Sequence, residues 1–139
     1  MDYSAINWLA VGAATLIGFA IGFVWYGPLF GKSWMESVGM DEESVKKANM
    51  KKVFGISLIL QFIMAYCLAM FFYGDPEAAS QITAGSGAFY GFLAGFGWVA
   101  TALSVNALYE QKSFKYMLIN GGYWILTFTL MGLILGAWK

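Results

Sequence analysis

Residues 53–73, VFGISLILQFIMAYCLAMFFY, carry no Asp, Glu, Lys or Arg, and Gln61 is their most polar side chain. An α-helix rises about 1.5 Å per residue, so about 20 such residues cross the hydrocarbon core of a bilayer, which is about 30 Å thick. Because lipid offers no hydrogen-bond partners, a segment of this kind must satisfy its own backbone, as a helix does. This run therefore predicts a transmembrane helix.

Three further apolar runs predict transmembrane helices in the same way. They cover about residues 5–26 (AINWLAVGAATLIGFAIGFVWY), 86–109 (SGAFYGFLAGFGWVATALSVNALY) and 116–138 (YMLINGGYWILTFTLMGLILGAW), and none contains an Asp, Glu, Lys or Arg. Aromatic residues gather near the ends of the runs, where their amphipathic rings favour the headgroup level. The sequence predicts an all-α fold, a four-transmembrane-helix bundle that forms one membrane domain over residues 1–139.

The composition supports a membrane protein over a soluble bundle with unusually apolar helices. Of the 139 residues, 60% are hydrophobic and 12% are charged, whereas soluble domains have about 25% charged residues. The formal net charge is zero, histidine is absent and Cys67 is the single cysteine. We expect no nucleic-acid partner, no metal, no cofactor and no intramolecular disulfide. The N-terminus lacks a basic segment, so the first run is expected to be a retained helix and not a signal peptide.

The lysines predict the orientation. Segments between spans one and two and between spans three and four lie on the same side of the membrane, and they hold seven of the eight lysines. Cytoplasmic loops are enriched in Lys and Arg, so both termini are expected outside the cytoplasm, and an antiparallel dual-topology dimer is disfavoured. The seven lysines are Lys32, Lys46, Lys47, Lys51, Lys52, Lys112 and Lys115.

The long connection between spans one and two has a pattern of its own. Gly27 and Pro28 predict the end of the first helix. Phe30, Trp34 and Val38 then recur every four residues, which favours a short amphipathic helix in the cytoplasmic interface over a surface loop with incidental aromatic residues. A charged helix capped by Asp41 is expected to follow and to continue directly into span two.

Small residues at helical spacing predict close helix packing, because association in lipid depends on packing and interhelical hydrogen bonds. In span three the stripe also takes in Val99, Ala102 and Asn106. The pattern leaves open which faces pack within the bundle and which pack between copies. The helix-packing glycines are Gly18 and Gly22 in span one, Gly87, Gly91 and Gly95 in span three, and Gly132 and Gly136 in span four.

Polar side chains within the spans are the candidate functional groups. Asn106 and Asn120 lie equally far from the turn between spans three and four, so a hairpin would bring them to the same depth. Such groups either form interhelical hydrogen bonds or line a pore or a substrate cavity. The other candidates of this kind are Gln61, Thr101, Ser104 and Tyr123.

Several segments resemble a family of small, mostly bacterial membrane proteins known as domain of unknown function 1761. The segments are residues 25–32 (WYGPLFGK) with Trp34 and Met35, residues 106–110 (NALYE), residues 118–124 (LINGGYW), and Met131–Gly132 through Trp138. The resemblance covers nearly the whole chain. It implies a compact helical protein of the bacterial inner membrane and supplies no activity or catalytic residues.

The resemblance also directs attention to one group of residues expected near the cytoplasmic face. We hypothesise that they form a single cluster in which Lys32 and Glu110 pair their charges. Its members are Trp25, Tyr26, Gly27, Pro28, Lys32, Trp34, Asn106, Glu110 and Asn120.

Three classes of function are compatible with these patterns. The small-residue faces favour a non-enzymatic membrane component that acts as a homo-oligomer or binds an unidentified protein partner. The intramembrane amides and hydroxyls favour a passive channel or facilitator for a small solute or ion. A membrane-embedded enzyme is the third class, and no pairing of a nucleophile with a base supports it.

Overall fold

A computed structural model describes residues 3–139, and the regular structure in this range is entirely helical. Four helical stretches are long and apolar enough to cross a membrane, as predicted: Trp8–Leu29, Met50–Tyr73, Ala84–Tyr109 and Phe114–Ala137. The protein is therefore a multi-pass membrane protein. We call these stretches spans 1 to 4.

Within residues 3–139, eight α-helices and two π-helical segments make up the spans and their connections. The π segments, each with i→i+5 hydrogen bonding, are Trp25–Leu29 at the end of span 1 and Gly95–Ala100 within span 3. The α-helices are α1 (Trp8–Val24), α2 (Gly31–Val38), α3 (Glu42–Lys47), α4 (Met50–Tyr73), α5 (Pro76–Gln81), α6 (Ala84–Ala94), α7 (Thr101–Tyr109) and α8 (Phe114–Ala137).

Span 4 lies at the centre of the bundle. Half of its most apolar window is buried, against 11% for span 3. Helix α8 packs against α6 and α1, and α1 packs in turn against α4. Span 4 is therefore the helix that joins span 3 to the rest of the protein.

Glycines let α6 and α8 approach closely. A Cβ atom on Gly91 would overlap the Phe128 carbonyl oxygen, and a Cβ on Gly132 would overlap that of Gly87. Gly136 faces the Thr83 carbonyl oxygen in the same way. The glycines of spans 3 and 4 thus permit contact between the two backbones, the arrangement that small-residue spacing favours in membranes.

The π segment in span 3 changes which side chains face span 4. Gly91 and Gly95 are buried four residues apart, but the next buried position is Ala100, followed by Ala107. The wider π turn adds one residue, so the buried face shifts by one position. Ala102 and Asn106 are exposed as a result. The expected stripe is therefore wrong at these two positions, whereas Val99 is partly buried against the core.

The connection between spans 1 and 2 contains the predicted short amphipathic helix. This is α2, and it ends at Gly39, whose φ of 68° lies in the left-handed region that favours glycine. The charged helix α3 is capped by Asp41, whose side chain accepts a hydrogen bond from the Ser44 amide. It does not run into span 2, because Ala48 is extended and Asn49 caps α4 as a separate helix.

The two remaining connections are both short. The segment between spans 2 and 3 contains α5, which Asp75 caps by accepting hydrogen bonds from the Glu77 and Ala78 amides. Spans 3 and 4 are joined by a tight turn, as expected, in which Gln111 has a φ of 60° and the Lys112 amide donates to the Ala107 carbonyl oxygen.

Candidate functional site

A groove of about 590 Å³ lies between spans 1, 2 and 4. It extends from the lysine-rich end of the bundle, beside α2 and α3, to about the middle of α4. Its lining consists of Gly18, Phe19, Gly22, Phe23, Tyr26, Gly27, Trp34, Val45, Met50, Val53, Phe54, Ser57, Leu60, Gln61, Met64, Asn120, Tyr123 and Trp124.

The groove exists because the first half of α4 does not pack into the bundle. Residues 50–60 are all exposed apart from the half-buried Ser57. The second half is packed, with Ala65, Ala69 and Phe72 buried against the other spans. At the open half, the aromatic rings of Phe19 and Phe23 reach Phe54 across the gap. Two apolar walls thus face each other where helix packing is incomplete.

A chain of hydrogen bonds forms the deep end of the groove and links all three spans. The Tyr123 hydroxyl donates to the Gly18 carbonyl oxygen at 2.8 Å, and Gln61 Nε2 donates to the Tyr123 oxygen at 3.3 Å. Both side chains are buried. The carbonyl oxygen of the same amide, Gln61 Oε1, is buried without a hydrogen-bond partner among residues 3–139.

The two glycines of span 1 accommodate these polar side chains. A Cβ on Gly18 would overlap the Gln61 amide, and a Cβ on Gly22 would lie 3.6 Å from the Tyr123 hydroxyl oxygen. They were predicted as helix-packing positions, yet each faces a side chain and not the backbone of a second helix. Their small size therefore shapes the groove.

The kink at the end of span 1 shapes the part of the groove that lies near the lysine-rich end of the bundle. Gly27, in the π segment, has φ −103° and ψ −105°, outside the helical region. The kink directs Trp25 and Tyr26 towards span 4. Trp25 Nε1 donates to the Ile119 carbonyl oxygen at 2.8 Å, and the Tyr26 hydroxyl donates to Asn120 Oδ1 at 2.6 Å.

Helix α2 covers the mouth of the groove and is tied to span 4. The Trp34 ring meets the Tyr26 ring edge-on, with centroids 5.7 Å apart. Lys115 Nζ and Glu36 Oε2 form an ion pair at 2.9 Å. This hydrogen bond and the charge of Lys115 lower the pKa of the Glu36 carboxyl below its ordinary value. Both side chains are largely exposed, so the pair positions α2 without strongly stabilising the fold.

The structure brings together only part of the predicted cytoplasm-facing cluster. Tyr26 contacts both Asn120 and Trp34 at the groove. Trp25 lies beside them and is held by its hydrogen bond to the Ile119 carbonyl oxygen. Gly27 also lines the groove. Pro28 and Lys32 follow it in the sequence and are exposed outside the lining.

The predicted residues of span 3 lie away from the groove. Asn106 and Glu110 are exposed, and Asn120 bonds with Tyr26 and the Tyr116 carbonyl oxygen, not with Asn106. Thr101 is exposed and donates to the Gly97 carbonyl oxygen of its own helix. Ser104 is half-buried outside the groove lining.

The hypothesised pair between Lys32 and Glu110 is not formed. Within residues 3–139 the ion pairs are Glu36 with Lys115 and Glu43 with Lys47. The salt bridge that joins α2 to span 4 therefore uses Glu36, four residues after Lys32, and Lys115, which lies beyond the turn that follows Glu110.

Sequence reasoning missed the apolar walls of the groove. The wall residues look like any other members of apolar spans. Their spacing does not distinguish a side chain that lines a groove from one that faces lipid; the residues concerned are Phe19, Phe23, Phe54 and Ser57. The sole available signal was the small Gly18 opposite the polar Gln61, which becomes visible only when the spans are placed side by side.

The groove offers neutral chemistry. Its polar side chains are hydroxyls, amides and indoles: Tyr26, Trp34, Ser57, Gln61, Asn120, Tyr123 and Trp124. The remaining lining residues are apolar or glycine. Such a site can bind an elongated apolar molecule and hydrogen-bond to an uncharged polar group at its end.

A second groove, of about 630 Å³, lies at the opposite end of the bundle between spans 2 and 3. Its walls are mainly apolar, and Phe72, Tyr90 and Trp98 contribute to them. Gln81 of α5 and Ser86 of α6 supply polar groups at its edge. It lacks a buried hydrogen-bonded chain of the kind formed by Gln61, Tyr123 and Gly18.

Comparison with known proteins gives one match. The model of the family described as "Protein of unknown function (DUF1761)" matches residues 9–136, nearly the whole chain. No curated protein and no solved structure matches.

Proposed function

The chain belongs to the DUF1761 family, and from this premise we propose that it is a non-enzymatic membrane protein that binds an amphipathic, lipid-like molecule. The binding site is the groove between spans 1, 2 and 4. The ligand would enter from the lipid phase past the unpacked half of α4. This is a partner-binding role in which the partner is a small molecule and not a protein.

One observation carries this proposal: an apolar groove closed at its deep end by buried hydrogen-bonding groups. Phe23 and Phe54 supply facing apolar walls, while Gln61 and Tyr123 supply the polar end. A purely apolar gap would be filled by any lipid tail. A polar end adds selectivity, because a buried polar group favours a ligand that completes its hydrogen bonds.

The absence of charge in the lining limits the class of ligand. An ion transferred into this part of the membrane would lack a counter-ion in the groove lining, and burying an unpaired charge is costly. We therefore propose that the part of the ligand inside the groove is neutral. A role in carrying inorganic ions is correspondingly disfavoured.

Photochemical labelling tests the proposal. The full-length protein in lipid nanodiscs is irradiated with a single-chain lipid that carries a photoactivatable group in its chain, and the labelled peptides are identified by mass spectrometry. Labelling should concentrate on the peptides that contain Phe23 and Phe54. Excess unlabelled lipid should compete for these sites but not for the lipid-facing Phe89.

Two matched variants locate the label. Ser57→Phe places a large ring in the groove and should reduce labelling of Phe23 and Phe54 several-fold. Ile56→Phe adds a similar ring on an exposed position outside the lining and should have no effect. Equal labelling of Phe23, Phe54 and Phe89 in all three proteins would refute a specific site.

We also propose that the protein self-associates through the outer face of span 3. Asn106 is exposed, and its amide makes no side-chain hydrogen bond within residues 3–139. An amide both donates and accepts, so Asn106 can pair with Asn106 of a second copy. Asn106→Leu should lower the dimer fraction in detergent and leave the thermal midpoint of the monomer unchanged; an unchanged dimer fraction would contradict this.

For the orientation, we propose that the lysine-rich end lies in the cytoplasm of a bacterial cell and that both termini lie outside it. Seven of the eight lysines support this through the positive-inside tendency. The groove mouth, beside α2 and α3, would then lie at the cytoplasmic leaflet. The ligand would be taken from that leaflet.

A further inference from the structure

The charges at the mouth of the groove indicate which head group the ligand carries. Building on the proposed function, we infer that the ligand is an anionic phospholipid of the surrounding membrane. One of its acyl chains lies in the groove, and its phosphate lies at the mouth, between Lys46 and Lys51. The charge of the ligand is then held outside the neutral lining.

A stretch of lysines without acids crosses the mouth of the groove. Val45 of α3 and Met50 and Val53 of α4 all line the groove. Residues 45–53 (VKKANMKKV) contain four lysines and no Asp or Glu. Because the apolar part of span 2 begins at Val53, these lysines lie where the head groups of a bilayer are expected. Lysine clusters at this position attract anionic lipids.

Lys46 and Lys51 adjoin the groove and have free charges. Lys46 directly follows the lining residue Val45, and Lys51 lies three residues before the wall residue Phe54, which makes the two neighbours on the surface of α4. Both lysines are exposed, and neither takes part in the two ion pairs found within residues 3–139. Lys47, in contrast, belongs to one of those pairs. Lys46 and Lys51 are therefore placed to bind an anion at the mouth.

The groove is about as long as one acyl chain of a leaflet. Its deep end at Gln61 lies eleven residues after Met50 at its mouth, a distance of about 16 Å at about 1.5 Å per residue. The hydrocarbon core of a bilayer is about 30 Å thick, so the groove spans about half of it. A chain that extends from a phosphate at the mouth thus reaches the deep end without leaving its leaflet.

The free lysines distinguish between phospholipid head groups. In phosphocholine the choline cation offsets the charge of the phosphate, whereas phosphoglycerol has no such cation. A lysine near the membrane surface strengthens the binding of an anionic lipid about fivefold. The groove should therefore prefer phosphoglycerol lipids to phosphocholine lipids with the same chain.

Competition between two single-chain lipids tests this inference. The full-length protein in phosphatidylcholine nanodiscs is irradiated with photoactivatable lysophosphatidylcholine, and the label on the peptides that contain Phe23 and Phe54 is measured. Unlabelled lysophosphatidylglycerol or lysophosphatidylcholine with the same chain is added as the competitor. Lysophosphatidylglycerol should remove the label at a concentration about five- to tenfold lower, and high salt should reduce this difference.

Two double variants of equal net charge locate the head group. Lys46→Gln/Lys51→Gln should remove the preference, so that the two lipids compete equally. Lys32→Gln/Lys112→Gln should retain it, because Lys32 lies two residues from Trp34, on the opposite side of α2, and Lys112 lies in the turn after span 3. None of the four lysines is buried, so both variants should fold. An equal loss in both would show a general attraction to the lysine-rich end and would overturn the site.

The outcomes separate this inference from the proposed function. Equal competition by the two lipids in the wild-type protein would overturn the selection of an anionic head group and would leave the binding of a lipid chain in the groove intact. Competition by neither lipid at Phe23 and Phe54, beyond that at the lipid-facing Phe89, would refute the groove as a binding site, and the inference with it.

Discussion

The effect of replacing a glycine in this protein depends on which atoms lie next to it. A Cβ on Gly132 would overlap the Gly87 carbonyl oxygen and lie 3.2 Å from the Gly91 Cα atom. All of these atoms belong to backbone that cannot move without separating α6 from α8. We therefore expect Gly132→Ala to destabilise the protein by about 1–3 kcal/mol, the usual range for overpacking, as measured by unfolding in mixed micelles.

Gly12→Ala is the matched control for that prediction. Gly12 lies in α1, and a Cβ added there would have no neighbouring helix within 4 Å among residues 3–139. Alanine also has the higher helix propensity, by about 1 kcal/mol, so this variant should be as stable as the wild type or slightly more stable. Equal effects of the two substitutions would show that α6 and α8 are not in backbone contact.

The ion pair between Glu36 and Lys115 predicts a small pH dependence. Lys115 lowers the pKa of Glu36 in the folded protein below the ordinary value of 4.5. The folded state then binds this proton less readily than the unfolded state does. The pair therefore contributes fully above about pH 4.5, and its contribution is lost as the pH falls through the lower folded pKa.

Thermal midpoints in detergent measure this effect. Glu36→Gln should melt slightly below the wild type at pH 7, and the difference should vanish at acidic pH and in high salt. Glu77→Gln is the control, since Glu77 is exposed and lies in neither of the two ion pairs described above. A difference for Glu36→Gln that persists below the folded pKa would contradict the electrostatic origin.

The roles of individual polar residues were only partly predictable from the sequence. Asn120 was expected near the lysine-rich end of the spans, and there it accepts a hydrogen bond from Tyr26. Its expected neighbour Asn106 is exposed. Position along a helix gives the depth of a residue, but the direction of its side chain depends on the local pitch of that helix.

The π segment of span 3 is the element that changes this pitch. Apolar length and the absence of charge suffice to predict four spans, because any helix of this composition is stable in lipid. The turn Gly95–Ala100 is equally apolar in either helical form. Its extra residue depends on tertiary packing against α8, which a regular 3.6-residue period does not reveal.

Two alanines distinguish the π register from a regular α-helix. Ala107 is 1% exposed, whereas Ala102 is exposed. A regular helix through Gly91 and Gly95 would instead place Ala102 on the packed face. We expect Ala107→Leu to lower the free energy of unfolding by about 1–3 kcal/mol through overpacking, and Ala102→Leu to be close to neutral.

Unfolding in mixed micelles compares these variants directly. Both substitutions add the same atoms to the same helix, so differences in helix propensity cancel between them. The opposite order of stability would show that span 3 is a continuous α-helix. The stripe that ends at Asn106 would then be restored.

At the scale of the whole molecule, uneven packing produces the groove. Span 4 is surrounded on several sides, whereas the first half of α4 is free of the bundle. The apolar spans determine that the protein lies in a membrane. The groove forms because only the second half of α4 packs against the other spans. Because all halves are similarly apolar, composition cannot predict this.

The orientation of the molecule decides which leaflet supplies the groove, and it predicts a sidedness of chemical labelling. The experiment uses two variants, each with a single cysteine in a Cys67→Ala background. One replaces Glu77, at the end of the bundle with few lysines, and the other replaces Glu110, at the lysine-rich end. Both positions are exposed. A membrane-impermeant maleimide should label Glu77→Cys in intact spheroplasts and Glu110→Cys only after the membrane is broken. The reverse pattern would place the groove mouth at the outer leaflet, and equal labelling of both positions before lysis would indicate a dual topology that the lysine distribution disfavours.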